Sequence, residues 1–164
     1  MPTTTSTSST GVPSAGAADL VDVRGPRFAA RVTTAVLIAA VLLAGVNTTA
    51  AAVLLGLQAV AFGIGAVAGP RRQPYGRIFA TFVAPRLSPV TEREPVAPLR
   101  FAQLVGMLFA VVGTAGFALG FPAVGLTAAA FALLAAFLNA AFDICLGCLL
   151  YPAVTRLRTA VRPS

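Results

Sequence analysis

From Phe101 to Tyr151 the chain runs 51 residues with a single charged side chain, Asp143. No soluble fold accommodates such a run. A bilayer core about 30 Å thick is crossed by about 20 helical residues rising about 1.5 Å each. The stretch is therefore too long for one crossing and right for two, with Gly120-Phe121-Pro122 as the break between them. Composition agrees: 57% of all residues are hydrophobic and 10% charged, against about 25% charged in an ordinary globular domain.

Two more apolar runs precede this one. Residues 28–46 and 50–69 are each long enough to span, and the polar turn Asn47-Thr48-Thr49 separates them. The expected spans are thus about 28–46, 50–69, 101–119 and 123–146. The fold class is an all-α membrane protein, four transmembrane helices arranged as two hairpins within residues 19–157. The segment between the hairpins, residues 69–100, holds six of the twelve prolines and eight charged residues, so it reads as a non-spanning loop. Within it Tyr75, Ile78, Phe79, Phe82 and Val83 follow the spacing of one helical face. A short interfacial helix in the headgroup plane fits that pattern, and so does a loop with aromatics at the interface. Residues 1–18 are Ser/Thr-rich and uncharged, too poor in apolar area to offset ordering, and are expected to be disordered. They have neither the basic nor the apolar region of a signal peptide.

The arginines set the orientation. Arg24, Arg27 and Arg31 precede or open the first run. Arg71, Arg72, Arg77, Arg86, Arg93 and Arg100 lie in the central loop, and Arg156, Arg158 and Arg162 follow the fourth run, the last two in a basic tail over 158–164. The short turns at 47–49 and 120–122 have none. Four spans with both termini cytoplasmic place every positive charge on one side; two or three spans do not. The expected location is the cell membrane, multi-pass. Arginines that flank apolar runs are topology determinants and leave no basic face for nucleic acid.

Chemistry is confined to few residues. The chain has no histidine, so imidazole bases, Ser-His-Asp triads and His-held metals are excluded within it. Its two cysteines are Cys145 and Cys148, three apart. That spacing brings two sulfurs within reach of one disulfide or one metal ion. Redox or persulfide chemistry, metal binding and plain packing are the three readings. A metal site requires a homodimer to supply a second Cys-x-x-Cys. At the end of the fourth span the cysteines are expected at a helix C-terminus, whose partial negative charge raises a thiol pKa, unless Gly147 between them ends or turns the helix there. Asp143 is the only acid in the apolar runs and Asn139 stands one turn before it, a polar pair on one helical face. Asp143 could serve the chemistry or only bond an arginine such as Arg100. Gln58 and Gln103 are explained by hydrogen bonding between helices. Gly65-x-x-x-Gly69 and Gly116-x-x-x-Gly120 match a close-packing pattern, and Arg27-Phe28-Ala29 is echoed by Arg100-Phe101-Ala102 at the start of the second hairpin. No quinone, flavin or haem site, and no other cofactor site, is recognisable.

Several of these segments occur together in a known family. Asp22-Val-Arg24-Gly25-Pro26-Arg27-Phe28, Gly69-Pro70, Pro98-Leu-Arg100-Phe101-Ala102-Gln103, Leu138-Asn139-Ala140 and Cys145-Leu-Gly147-Cys148-x-x-Tyr151 resemble the DUF4395 family of small, mostly actinobacterial membrane proteins, over about residues 20–157. Relatives tend to be encoded beside thioredoxin-like proteins and thiosulfate sulfurtransferases. Many carry a Glu after the second cysteine, where this chain has Leu149. The resemblance implies a thiol or sulfur role with such a cytoplasmic partner. Three functions follow for testing: a membrane-embedded dithiol module, a non-catalytic anchor or subunit, and a small transporter component for a sulfur species with Asp143 and Asn139 on its path.

Overall fold

The computed structural model describes residues 20–160. The expected disordered tail over 1–18 and the last residues of the basic tail lie outside the described residues. Four helices are long and apolar enough to cross a membrane: α1 (Arg24–Ala44), α2 (Thr48–Ala68), α4 (Val96–Ala118) and α5 (Pro122–Phe142). Twenty-one residues span about 32 Å, the thickness of the hydrocarbon core. Large apolar side chains such as Leu42, Leu57, Val60 and Phe131 point outward from these helices, as a bilayer solvent demands. The protein is a multi-pass membrane protein.

Local chemistry sets the hairpin ends. Asn47 caps α2, its side chain accepting the Ala50 N–H at 3.0 Å, one of the donors a helix start otherwise leaves unpaired. At the second hairpin Gly120 takes a positive φ of 79° and Pro122 opens α5, where its missing N–H costs nothing. Each first helix packs across onto the other hairpin, α1 against α5 and α4 against α2. The core between them is built from Leu37, Leu55, Phe117 and a set of alanines. Gly116 faces Gly125 so closely that a Cβ on Gly116 would lie 2.6 Å from the Gly125 nitrogen. The two glycine pairs seen in the sequence therefore split their roles. Gly116 is a packing residue and Gly65 makes room for a side chain, while Gly120 and Gly69 (φ 89°) end helices.

The described arginines gather at the end opposite the two tight turns. There the chain adds a feature that periodicity did not reveal: a two-stranded antiparallel ribbon of β1 (Leu20–Asp22) and β2 (Arg93–Pro95), in register Leu20↔Pro95, Val21↔Glu94 and Asp22↔Arg93. The expected interfacial helix is only α3 (Pro74–Ile78), followed by a π-turn over Phe79–Val83 and a 3-10 turn over Ala84–Arg86. Its aromatics do not share one face. Phe79 is buried, packed on Phe28 with ring centroids 5.8 Å apart. Tyr75 turns inward and donates to Gln58 Oε1 at 2.7 Å. Ile78 and Phe82 stay exposed. A π-turn adds a residue to the turn and breaks the 3.6-residue register that the pattern assumed.

The fourth helix also ends earlier than the 123–146 expected of it. It stops at Phe142, Asp143 adopts a left-handed φ of 58°, and a separate helix α6 (Leu146–Ala160) begins three residues later. The Asp143 and Ile144 N–H groups both return to the Leu138 carbonyl, a helix stop of the left-handed type.

Candidate functional site

This break decides the environment of the cysteines. Cys145 is the residue before α6, and its carbonyl accepts the Leu149 N–H at 3.0 Å, which makes it the helix N-cap. Cys148 sits in the first turn. The expectation that both lie at a helix C-terminus is therefore reversed: they occupy an N-terminus, where partial positive charge and unpaired N–H groups favour an anion.

Both cysteines are free thiols and half-buried. Cys148 Sγ donates to Cys145 Sγ at 2.7 Å. That bond, with the backbone N–H groups of Cys148 and Gly147 directed at the same sulfur, holds the Cys145 thiol down to about 7, against opposition from burial and the nearby Glu94 charge. The same bond pushes Cys148 up, helped by burial, by the Cys145 charge and by Glu94. Cys145 is thus the thiol more easily ionised and Cys148 the one that holds its proton.

The first turn of α6 is pinned to α4. A Cβ on Gly147 would come within 2.4 Å of Ala102 Cβ, so only glycine permits this approach. Tyr151 packs on Phe101 with ring centroids 6.0 Å apart. Phe101-Ala102 and Cys-Leu-Gly-Cys-x-x-Tyr, two of the segments that carry the family resemblance, are therefore the two sides of one contact.

Asp143 does not reach Arg100. Its Oδ1 pairs with Arg27 Nε at 2.8 Å, while Arg100 donates to the Ala66 and Val67 carbonyls at the end of α2. Asp143 is itself the left-handed residue past the last residue of α5, so the helical i, i+4 relation to Asn139 does not extend to it. Asn139 instead lines a cavity of about 250 Å3 between α1, α2, α4, α5 and α6, together with Cys145, Gln103 and Phe62. Two residues escaped sequence reasoning. Arg27 read as a topology determinant, and Glu94 read as loop. Strand pairing brings Glu94 toward the thiols, where burial raises its carboxyl pKa against the pull of Arg27, with Glu92 and Asp143 adding to the rise. Only the ribbon register reveals it, and no local pattern announces that.

Among the described residues, no three Cys, His, Asp or Glu side chains gather as a metal would require.

The family model described as Domain of unknown function (DUF4395) matches residues 21–156. No curated protein and no solved structure matches the chain.

Proposed function

Since the chain belongs to the DUF4395 family, whose name carries no activity, we propose from its own residues that it is a membrane-embedded dithiol module. Its exchange partner for electrons or sulfur, as the resemblance implies, is a cytoplasmic thioredoxin-like protein or sulfurtransferase. The observation that supports this most directly is the division of labour between Cys145, an N-cap thiol with its pKa lowered to about 7, and Cys148, which keeps its proton and donates it toward Cys145.

In an exchange cycle the Cys145 thiolate attacks one sulfur of a partner disulfide. The partner's S–S bond breaks, and its other sulfur leaves as a thiolate that takes up a proton. Cys148 then loses its proton and attacks Cys145 in the mixed disulfide, forming the Cys145–Cys148 disulfide and releasing the partner's second thiol. The partner is reduced by two electrons and the dithiol oxidised by two. The reverse sequence reduces the module. The arginine distribution supports a cytoplasmic setting for both termini and for the thiols. A reducing compartment there keeps the resting pair as thiols.

Replacing Cys148 with serine in intact cells should strand Cys145 as a long-lived mixed disulfide, visible on non-reducing electrophoresis, because the resolving thiol is gone. Cys145→Ser should trap nothing. A membrane-impermeant maleimide should label the thiols only after permeabilisation. Labelling from outside would reverse the orientation. If neither variant crosslinks and the double serine replacement has no phenotype, the dithiol reading gives way to the anchor reading.

A further inference from the structure

The cavity beside Cys145 is assembled from five helices, so no single segment of the sequence carries it. On α5, Phe131, Ala135 and Asn139 line it at one-turn intervals, which extends it about 12 Å along the helix. Asn139 and Cys145 stand at its arginine end. The rings of Phe109 and Phe131, with centroids 5.9 Å apart, stand at the other. The hollow exists because small side chains line it, Ala29, Ala102, Ala132 and Ala135 among them. α6 packs on α4 far more than on α5. Leu134 and Leu150, one on each side of that gap, line the cavity and are more than half exposed. It is therefore a cleft that opens between α5 and α6, on the apolar outer surface of the bundle.

Its chemistry narrows the occupant. Among the described residues no charged side chain lines it, so an ionic substrate finds no counter-charge there. An apolar cavity of about 150 Å3 holds benzene. One of about 250 Å3 holds a larger, substituted ring, whose chain leaves through the open side. Asn139 is half-buried and its side chain makes no hydrogen bond among the described residues, which leaves the amide for a polar atom on that ring. Cys145 is the one thiol in the lining; Cys148, its sulfur 2.7 Å away, lies outside it. The cleft thus offers one sulfur to an uncharged, lipid-soluble molecule and keeps the second in reserve. A dithiol gives up two electrons and two protons, and quinones are the lipid-soluble ring compounds that accept both.

We propose that this cleft admits the ring of a lipid-soluble quinone, which oxidises the Cys145–Cys148 dithiol. The proposal rests on the dithiol reading and supplies its membrane-side electron acceptor. The Cys145 thiolate adds to a ring carbon, forming a C–S bond and moving a π pair onto a carbonyl oxygen, to which Asn139 Nδ2 donates. Cys148 then loses its proton and attacks the Cys145 sulfur. The S–S bond forms, the C–S bond breaks, and its electron pair stays with the ring. Both thiol protons end on the ring oxygens, so dithiol and quinone become disulfide and hydroquinone. A thioredoxin-like partner in its dithiol form restores the thiols by running the exchange cycle in reverse.

The test uses the full-length chain in phosphatidylcholine nanodiscs, reduced and kept free of oxygen. Decylubiquinone, whose fully substituted ring forms no permanent thioether, is added to the bilayer. Oxidised glutathione is added to the water of a parallel sample. Quinone absorbance and non-reducing electrophoresis follow the two products. One quinol should appear per Cys145–Cys148 disulfide, at a rate that saturates with quinone. Ala135→Phe fills the cleft and should slow the quinone reaction at least tenfold, leaving the glutathione reaction unchanged. Asn139→Leu, of similar volume but unable to donate, should slow the quinone reaction about tenfold, again with the glutathione reaction unchanged; it decides the matter if the phenylalanine prevents insertion. Oxidation by glutathione but not by quinone overturns the proposal and leaves the dithiol reading standing. Oxidation by neither ends both. A quinone rate that never saturates and is equal in the variants means that the cleft holds only acyl chains, and also overturns the proposal.

Discussion

Arg27 and Arg100 open the two hairpins in the same Arg-Phe-Ala context, and each reaches across to the end of a helix in the other hairpin. The two ends are built differently. At the end of α2 the positive-φ residue is Gly69, which has no side chain, so Arg100 bonds the last carbonyls directly, to Ala66 at 2.8 Å and Val67 at 2.6 Å. At the end of α5 the positive-φ residue is Asp143, which supplies its own anion to Arg27. The first end leads into the long polar loop, and the second restarts within three residues as α6 with Cys145 as its cap. One arginine neutralises a helix end. The other balances two acids, Asp143 and Glu94, that stand beside a thiol pair. The same local sequence thus serves architecture at one site and electrostatics at the other.

The comparison breaks most sharply at the thiols. Cys145 should alkylate with iodoacetamide at a rate that rises with pH through a midpoint of about 7, since only the thiolate reacts. Cys148→Ala removes the donor that lowers this pKa. The midpoint should climb toward the ordinary thiol range near 8.5, and the rate at pH 7 should fall roughly tenfold. Cys148→Ser keeps a hydroxyl donor and should lie between. An unchanged midpoint in the alanine variant would assign the activation to the helix N-terminus alone.

Exchanging the arginines sharpens the contrast. Arg100→Gln should cost about 1 kcal/mol of stability against detergent unfolding, from the lost charged bonds to carbonyls, with the Cys145 midpoint unmoved. Arg27→Gln breaks a surface pair worth about 0–1 kcal/mol. It leaves Glu94 and Asp143 unopposed, however, so the Cys145 midpoint should shift upward. If the two variants trade these phenotypes, the assignment of roles is wrong.

The smallest effect concerns the turn itself. Asp143→Gly relieves a left-handed residue while losing the Arg27 pair, and should change stability by less than about 0.5 kcal/mol. Asp143→Ala loses the pair and keeps the strain, at about 1 kcal/mol or more. Equal stabilities, measured by the same unfolding titration, would mean the backbone there is relaxed.

Much of the scaffold was legible before any coordinates, since lipid leaves a chain few choices. Continuous apolarity marks the four helices. Asn47 reads as a cap and Gly120-Phe121-Pro122 as a break, because the side chains that permit those geometries are themselves the signal. The site was legible only in its sulfurs. Ala-Ala-Phe-Asp-Ile-Cys-Leu-Gly-Cys is as apolar after Asp143 as before it, so hydropathy extended α5 through the cysteines. That placed them at the wrong pole of a helix.

The sequence by itself determined that this chain has four helices to cross a membrane, that its described arginines share one end, and that any thiol chemistry rests on Cys145 and Cys148. Those are consequences of solvent and inventory, which act residue by residue. Only the tertiary structure decided that Asp143 takes Arg27 while Arg100 takes α2, and that Gly147 docks on Ala102. It alone brought Glu94 to the thiols through a ribbon pairing distant segments, and made Cys145 the cap of α6. Each of these depends on which helices pack together and in what register, a choice made by contacts between segments that no local pattern records.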